Sequence, residues 1–86
     1  MSGRAFRISV SVRLHANVND PQGNAVRDGL GSLGHVDVRD VRVGKLVELT
    51  LDAADVADAR VRAERMCHEL LANPIIESFD IEIDEA

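Results

Sequence analysis

Two hydrophobic periods alternate along this chain. Phe6, Ile8, Val10, Val12 and Leu14 interleave with Arg7, Ser9, Ser11 and Arg13. A period of two with one polar face predicts a strand that covers a core on one side only. Asp20-Pro21 predicts a helix start. Aspartate accepts hydrogen bonds from the first free N–H groups, and proline fits the first helical position because its missing N–H costs nothing there. Val26, Leu30 and Leu33 then fall at i, i+4 and i+7, which predicts a single buried stripe, and Gly34 predicts the stop.

Val36 and Val38 share one phase of the next segment, and Val41 and Val43 share the other. A strand cannot change faces without an extra residue, so a bulge or bend is predicted near Arg39-Asp40. After Gly44-Lys45, Val47, Leu49 and Leu51 alternate strictly with Leu46, Glu48 and Thr50. Together the two stretches predict a hairpin turning close to Gly44. Asp52 or Asp55 is the predicted cap of a second helix. Its buried stripe is Val56, Ala59, Ala63, Met66, Cys67 and Leu70, while Asp58–Arg62, Arg60–Glu64 and Arg65–Glu69 are spaced to pair on its flanks. Asn73 ends this helix, because Pro74 pushes the residue before it out of the helical region. Phe79, Ile81 and Ile83 then alternate with Asp80, Glu82 and Asp84 in a last strand with an acidic outer face.

The order β-α-β-β-α-β is the split βαβ pattern of an α+β ferredoxin-like sandwich, a four-stranded antiparallel sheet with two helices on one face. One domain over residues 1–86 is expected. Arg7, Arg13, Glu48, Thr50, Asp80 and Glu82 are the polar alternates that line the other face.

Composition narrows the function classes. Only 2% of the residues are aromatic, Phe6 and Phe79, so the core is built from aliphatic side chains. A chain this short buries roughly 60–65% of its unfolded surface, and small domains often gain further burial by oligomerising. The net charge of -5 is unevenly spread. Residues 1–45 carry seven basic and four acidic side chains, residues 46–86 three basic and eleven acidic. That balance argues against phosphate-backbone binding and hence against a nucleic-acid partner. No stretch is apolar enough to span a membrane, and the opening MSGRAFRIS lacks the apolar run of a secretory leader, so a cytoplasmic protein is expected. Cys67 stands alone, which excludes an internal disulfide.

Candidate chemistry is sparse. Gly29-Leu30-Gly31-Ser32-Leu33-Gly34 matches G-x-G-x-x-G, but a dinucleotide fingerprint needs these glycines where a strand turns into a helix. Here they close a helix, and packing against the sheet and helix termination account for them. Cys67 and His68 are neighbours that diverge by about 100° on a helix and do not face each other. His15 and His35 lack metal-ligand spacing. The acidic last strand reads as an edge that discourages strand pairing. The acylphosphatase phosphate loop has no counterpart, and the exposed aromatics of RNA-binding sheets are missing. No catalytic, cofactor-binding or metal-binding residue is assigned.

Three stretches are richer than folding demands: Asp20-Pro21-Gln22-Gly23, then Asp40 to Lys45 with Glu48, then Leu70 to Pro74 with Glu77. Singly they read as a helix start, a turn and a helix stop. Together, D-P-Q-G-x-A-V, L-G, D-V-R-x-G-K-x-x-E and M-C-x-x-L-L-A-N-P-x-I-E resemble the PurS family, the small subunits of phosphoribosylformylglycinamidine synthase in purine biosynthesis. The resemblance runs from about Asp20 to Glu77, and the element order extends it over the chain. The lysine-containing approach that often precedes D-P-Q-G is replaced by His15-Ala16-Asn17-Val18-Asn19.

The resemblance implies a non-catalytic subunit. In this family a large synthetase subunit uses ATP to activate the amide oxygen of formylglycinamide ribonucleotide, and a glutaminase subunit releases ammonia. The small subunit dimerises, bridges the other two and assists ammonia transfer. ATP, magnesium and glutamine are then cofactors and substrate of the complex, none bound by this chain. Asp20, Pro21, Gln22, Gly23, Arg42, Gly44, Lys45, Asn73 and Glu77 are the expected partner-interface residues. Leu70 and Leu71 are expected to bury, and the hairpin carrying Arg42, Gly44 and Lys45 to project from the sheet. Two rivals are set beside this reading. One is an ACT-like regulatory domain that binds amino acids between subunits, although Ala16-Asn17-Val18-Asn19 lacks its usual glycine turn. The other is a small enzyme using Cys67 or His68.

Overall fold

The structure, a computed structural model, describes residues 3–86; the first two residues of the expected domain lie outside it. Strand β1 (Arg4–Leu14) is central, flanked antiparallel by β2 (Gly44–Ala53) and β3 (Glu77–Glu85) in the order β2-β1-β3. Ile8 sits opposite Leu49 and Ile83, and Val10 opposite Val47 and Ile81. The alternation read from the sequence therefore places all three strands' apolar residues on one face. Phe6, Ile8, Val10 and Val12 are fully buried there, each contributing about 1.5–3 kcal/mol relative to an exposed side chain. Arg7, Ser9, Ser11 and Arg13 face the other side, level with Thr50, Glu48 and Leu46 on β2 and with Asp84, Glu82 and Asp80 on β3.

Helix α2 (Val56–Met66) covers the apolar face. Asp55 caps it, accepting from the Asp58 N–H at 2.8 Å, while the Asp58 carboxylate accepts from the Ala54 N–H at 3.0 Å. Ala59, Ala63 and Cys67 are buried against the sheet, small enough to let the helix sit close. Among the described residues the ion pairs expected on its flanks do not form; Arg62 instead donates to the Asp52 carbonyl at 2.8 Å.

Three expectations need correction. Among the described residues the sheet has three strands, not four. Residues 36–43 form neither a strand nor the bulge expected at Arg39-Asp40, and Gly44 opens β2 instead of turning a hairpin. Their backbone is held elsewhere: the Val43 N–H donates to the Asp20 carboxylate at 2.8 Å, and Val41 lies against Gly23.

Helix α1 (Pro21–Ser32) is the second correction. It does not pack on the sheet, and Val26 and Leu33 are exposed. An 11-residue strand spans about 37 Å and a 12-residue helix about 18 Å, so the 57 Å length of the molecule places α1 beyond the sheet's end. With residues 33–43 it forms an arm. Gly34, at φ +103°, ends the helix as expected, with the His35 N–H donating to Leu30 O and the Gly34 N–H to Gly31 O. Gly29 and Gly31 face open space, so packing on the sheet does not explain them.

The third correction concerns α2's stripe. Val56 and Leu70 are exposed, and Leu71 is half-buried. The helix ends in a π-turn, Cys67–Leu71, closed by the Ala72 N–H donating to Cys67 O at 3.0 Å. A π-turn inserts a residue and rotates the chain beyond it, which carries Leu70 off the buried face. Among the described residues no helix is long and apolar enough to cross a membrane.

Candidate partner interface

The arm's root is built around Asp20, only 4% exposed. Its carboxylate caps α1 by accepting from the Gly23 N–H at 2.9 Å and holds the returning chain by accepting from the Val43 N–H. The Val43 and Gly23 N–H groups, and then the nearby Arg42 guanidinium, hold this carboxyl below the usual range, against the opposing effect of burial. Arg42 donates from one nitrogen to the His15 and Val18 carbonyls at 2.9 and 2.8 Å. It thus ties the β1–α1 loop to the segment leading into β2 and does not stand on a projecting hairpin. Gly23 and Gly44 are required by close approach, since an added Cβ would fall on Val41 O and Val12 O respectively.

The third motif arrives from the other side of β1. The Asn73 N–H donates to the Glu77 carboxylate at 2.7 Å, the Glu77 N–H to Asn73 O at 2.7 Å, and the Ile75 N–H to Asn73 Oδ1 at 3.1 Å. This turn is fastened to β1 where the His15 N–H donates to Ile76 O at 2.8 Å. A shallow cleft of about 260 Å³ brings the motifs together, lined among others by Asp20, Gln22, Gly44, Lys45 and Glu77.

The structure therefore sorts the nine residues. Asp20 and Gly23 are buried at the root, Arg42 is exposed but engaged with carbonyls, and Glu77 is half-buried. Pro21, Gln22, Gly44, Lys45 and Asn73 are exposed. Three features escaped the sequence reading. Arg13 lines the cleft and pairs with Asp80 at 2.9 Å; its outward phase was legible, its neighbour was not. The His15 and Val18 carbonyls have no side-chain signature. Exposed Leu33, Val36, Leu70 and Ile75 were hidden by their apolar character, which reads as core.

Cys67 is buried, and desolvation, with the Glu64 charge second, pushes its thiol up. A thiol so placed is a poor nucleophile at neutral pH. His68 meets Phe79 edge-on, with ring centroids 5.4 Å apart.

Comparison with known proteins gives this geometry a family. The PurS family model, described as phosphoribosylformylglycinamidine (FGAM) synthase, matches residues 7–85. A Synechocystis sp. relative named phosphoribosylformylglycinamidine synthase subunit PurS is 44% identical over 92% of this chain and 79% of its own length. The crystal structure of Bacillus subtilis PurS superposes with a TM-score of 0.84 at 42% identity, covering 93% of this chain and 99% of that one. A chain in the structure of PurLQS from Thermotoga maritima gives a TM-score of 0.85 at 28% identity, over 93% and 98% of the two chains. Coverage this complete takes in the arm as well as the sheet. The ACT-like alternative is not favoured by any of these matches. With the family model spanning nearly its whole length, this chain belongs to the PurS family.

Proposed function

We propose that this chain is the small, non-catalytic subunit of a phosphoribosylformylglycinamidine synthase, acting in the cytoplasm as a homodimer that bridges a synthetase and a glutaminase subunit. The match over residues 7–85 carries this reading. The local chemistry supports it: Asp20, Arg42 and Glu77 spend their polar atoms on backbone groups, and the cleft beside them is shallow. ATP, magnesium and glutamine are handled by the other subunits, and the exposed Gln22, Lys45 and Asn73 meet one of them.

A bridge is useful because ammonia in neutral water is mostly protonated, and ammonium is no nucleophile. A protein-enclosed route keeps it dry and reactive, the same exclusion of water that protects other labile intermediates. The small subunit helps close that route without touching a bond. Omitting this chain from the reconstituted complex is expected to abolish most glutamine-dependent synthesis while leaving most synthesis driven by high external ammonia. Equal loss with both nitrogen sources would refute the bridging role.

A further inference from the structure

We infer that Arg13 receives an acidic side chain from one of the partner subunits, and that Asp80 holds its place in the free chain and gives it up on assembly. The inference rests on the bridging role proposed above and names the chemistry of the surface that is met.

The setting is a positive spot on a chain of net charge -5. At the end of the sheet that carries the arm, two shallow cavities share Arg13 and Arg42 as walls. One, of about 340 Å³, is also lined by His15, Asp40 and Ser78, and the second, of about 270 Å³, by Ser11, Gly44 and Lys45. Among the described residues their walls hold three cations, Arg13, Arg42 and Lys45, and one carboxylate, Asp40. The acids of the adjoining cleft, Asp20 and Glu77, are occupied by backbone N–H groups. Arg42 is fixed in position by the His15 and Val18 carbonyls. A positive potential set in a negative molecule favours acidic groups at contact.

Arg13 is the cation with room beside it. On the outer face the positions level with it are Gly44 on β2 and Ser78 on β3, one without a side chain and the other with a small one. Its guanidinium therefore stands in a gap. Asp80 is level with Ser11 and reaches Arg13 on the diagonal, where Nη2 donates to Oδ2 at 2.9 Å. Among the described residues this is the only side-chain hydrogen bond that Arg13 makes. A guanidinium carries five donors in a fork that matches both oxygens of a carboxylate. Asp80 leaves most of that fork unused.

The pair is easily exchanged. Both side chains are well exposed, 60% and 68%, and an exposed ion pair adds little to folding. Releasing Asp80 to water therefore costs little. An acid arriving on a partner's surface brings its own cover, and the contact strengthens as water leaves it. A small free anion has no such cover, since neither cavity is deep enough to enclose a ligand.

Affinity of the purified chain for the immobilised synthetase and glutaminase subunits tests this with substitutions of opposite sign. Arg13→Gln is expected to weaken binding to one subunit roughly tenfold, and Asp80→Asn, which frees the guanidinium, to strengthen it about threefold. Arg4→Gln removes a pair of the same kind, Arg4–Glu85 at 2.9 Å, from the far end of the sheet, and is expected to change binding by less than about twofold. Arg13→Lys places an amine at the site. Carbodiimide is expected to couple it to Asp80 in the free chain and to a carboxyl of the subunit in the complex. A wild-type chain that binds neither subunit overturns the bridging role and this inference together. Binding that ignores Arg13→Gln, gains nothing from Asp80→Asn, or falls equally with Arg4→Gln overturns the exchange alone. So does a coupling that stays on Asp80 in the complex or reaches a second copy of this chain. Inorganic phosphate that raises the Tm of the wild type but not of Arg13→Gln assigns the gap to a free anion and overturns the inference.

Discussion

The carboxylate of Asp20 accepts the Val43 N–H at 2.8 Å across 23 residues of chain, while its other oxygen caps α1 through Gly23. One side chain therefore sets both where the arm begins and where it returns. Replacing it with alanine leaves two backbone donors without a partner, a larger loss than an ordinary helix cap. Asp20→Ala is expected to lower Tm by roughly 5–10 °C, and Asp20→Asn, which keeps one acceptor, by about half as much. Hydrogen exchange at Gly23 and Val43 gives the local reading; unchanged protection in Asp20→Ala would refute the clasp.

The same carboxylate makes the arm root sensitive to acid. Its folded pKa is lowered from 3.8, first by the Val43 and Gly23 N–H groups. A depressed pKa contributes stability that is complete above the unfolded value and is lost as pH falls through the folded one. Stability at the root is therefore expected to hold from neutrality to about pH 4 and to decline below it. Protection of the Val43 amide measured from pH 5 to pH 2 follows that course in the wild type, and Asp20→Asn flattens it.

Glycines of the same helix are expected to respond with opposite signs. At Gly23 a Cβ meets the Val41 carbonyl, which is backbone and cannot swing aside. Gly23→Ala is expected to cost about 2–3 kcal/mol as the root opens. Gly31 has open space around it inside α1, so Gly31→Ala is expected to stabilise by about 0.5–1 kcal/mol through helix propensity alone. Urea titrations of the two variants decide the matter, and equal effects would contradict the close approach.

Burial of Cys67 makes a chemical prediction. With the thiol desolvated and its pKa raised, alkylation of the native chain at pH 7.5 is expected to be at least about 100-fold slower than that of the unfolded chain. Its onset in urea should coincide with unfolding measured by circular dichroism. Rapid modification of the native thiol would revive the small-enzyme reading that the geometry disfavours.

The strands were legible because each has a single buried face, so Phe6 to Leu14 and Phe79 to Ile83 announce their orientation. The hidden features have physical reasons. The valines from 36 to 43 look like a strand because alternation records half-burial, whatever covers it; here Asp20 takes the Val43 N–H that a ladder needs. The stripe of Val26, Leu30 and Leu33 says that a face wants covering, not which molecule covers it. Leu70 continues α2's spacing in the sequence, and only the π-turn, a backbone choice without a side-chain signature, removes it from the core. Within the candidate interface, three motifs legible in the sequence meet at one end of the sheet, but the division between clasp and surface depends on contacts between residues far apart in sequence.

That division is expected to separate effects on folding from effects on assembly. Asp20 and Gly23 are buried in the clasp, whereas Gln22 and Lys45 line the same cleft from its exposed side. Substitutions at exposed positions away from caps and close approaches usually shift stability by no more than about 0.5 kcal/mol. Gln22→Ala and Lys45→Glu are therefore expected to leave Tm within about 3 °C of wild type. A charge reversal at a complementary interface acts on recognition instead, so Lys45→Glu is expected to weaken association with the synthetase and glutaminase subunits by roughly tenfold. Size-exclusion chromatography of the mixed subunits measures one effect and calorimetry of the isolated chain the other. If Lys45→Glu assembles with wild-type affinity, the motif that ends in Lys45 serves the arm's root and not a partner.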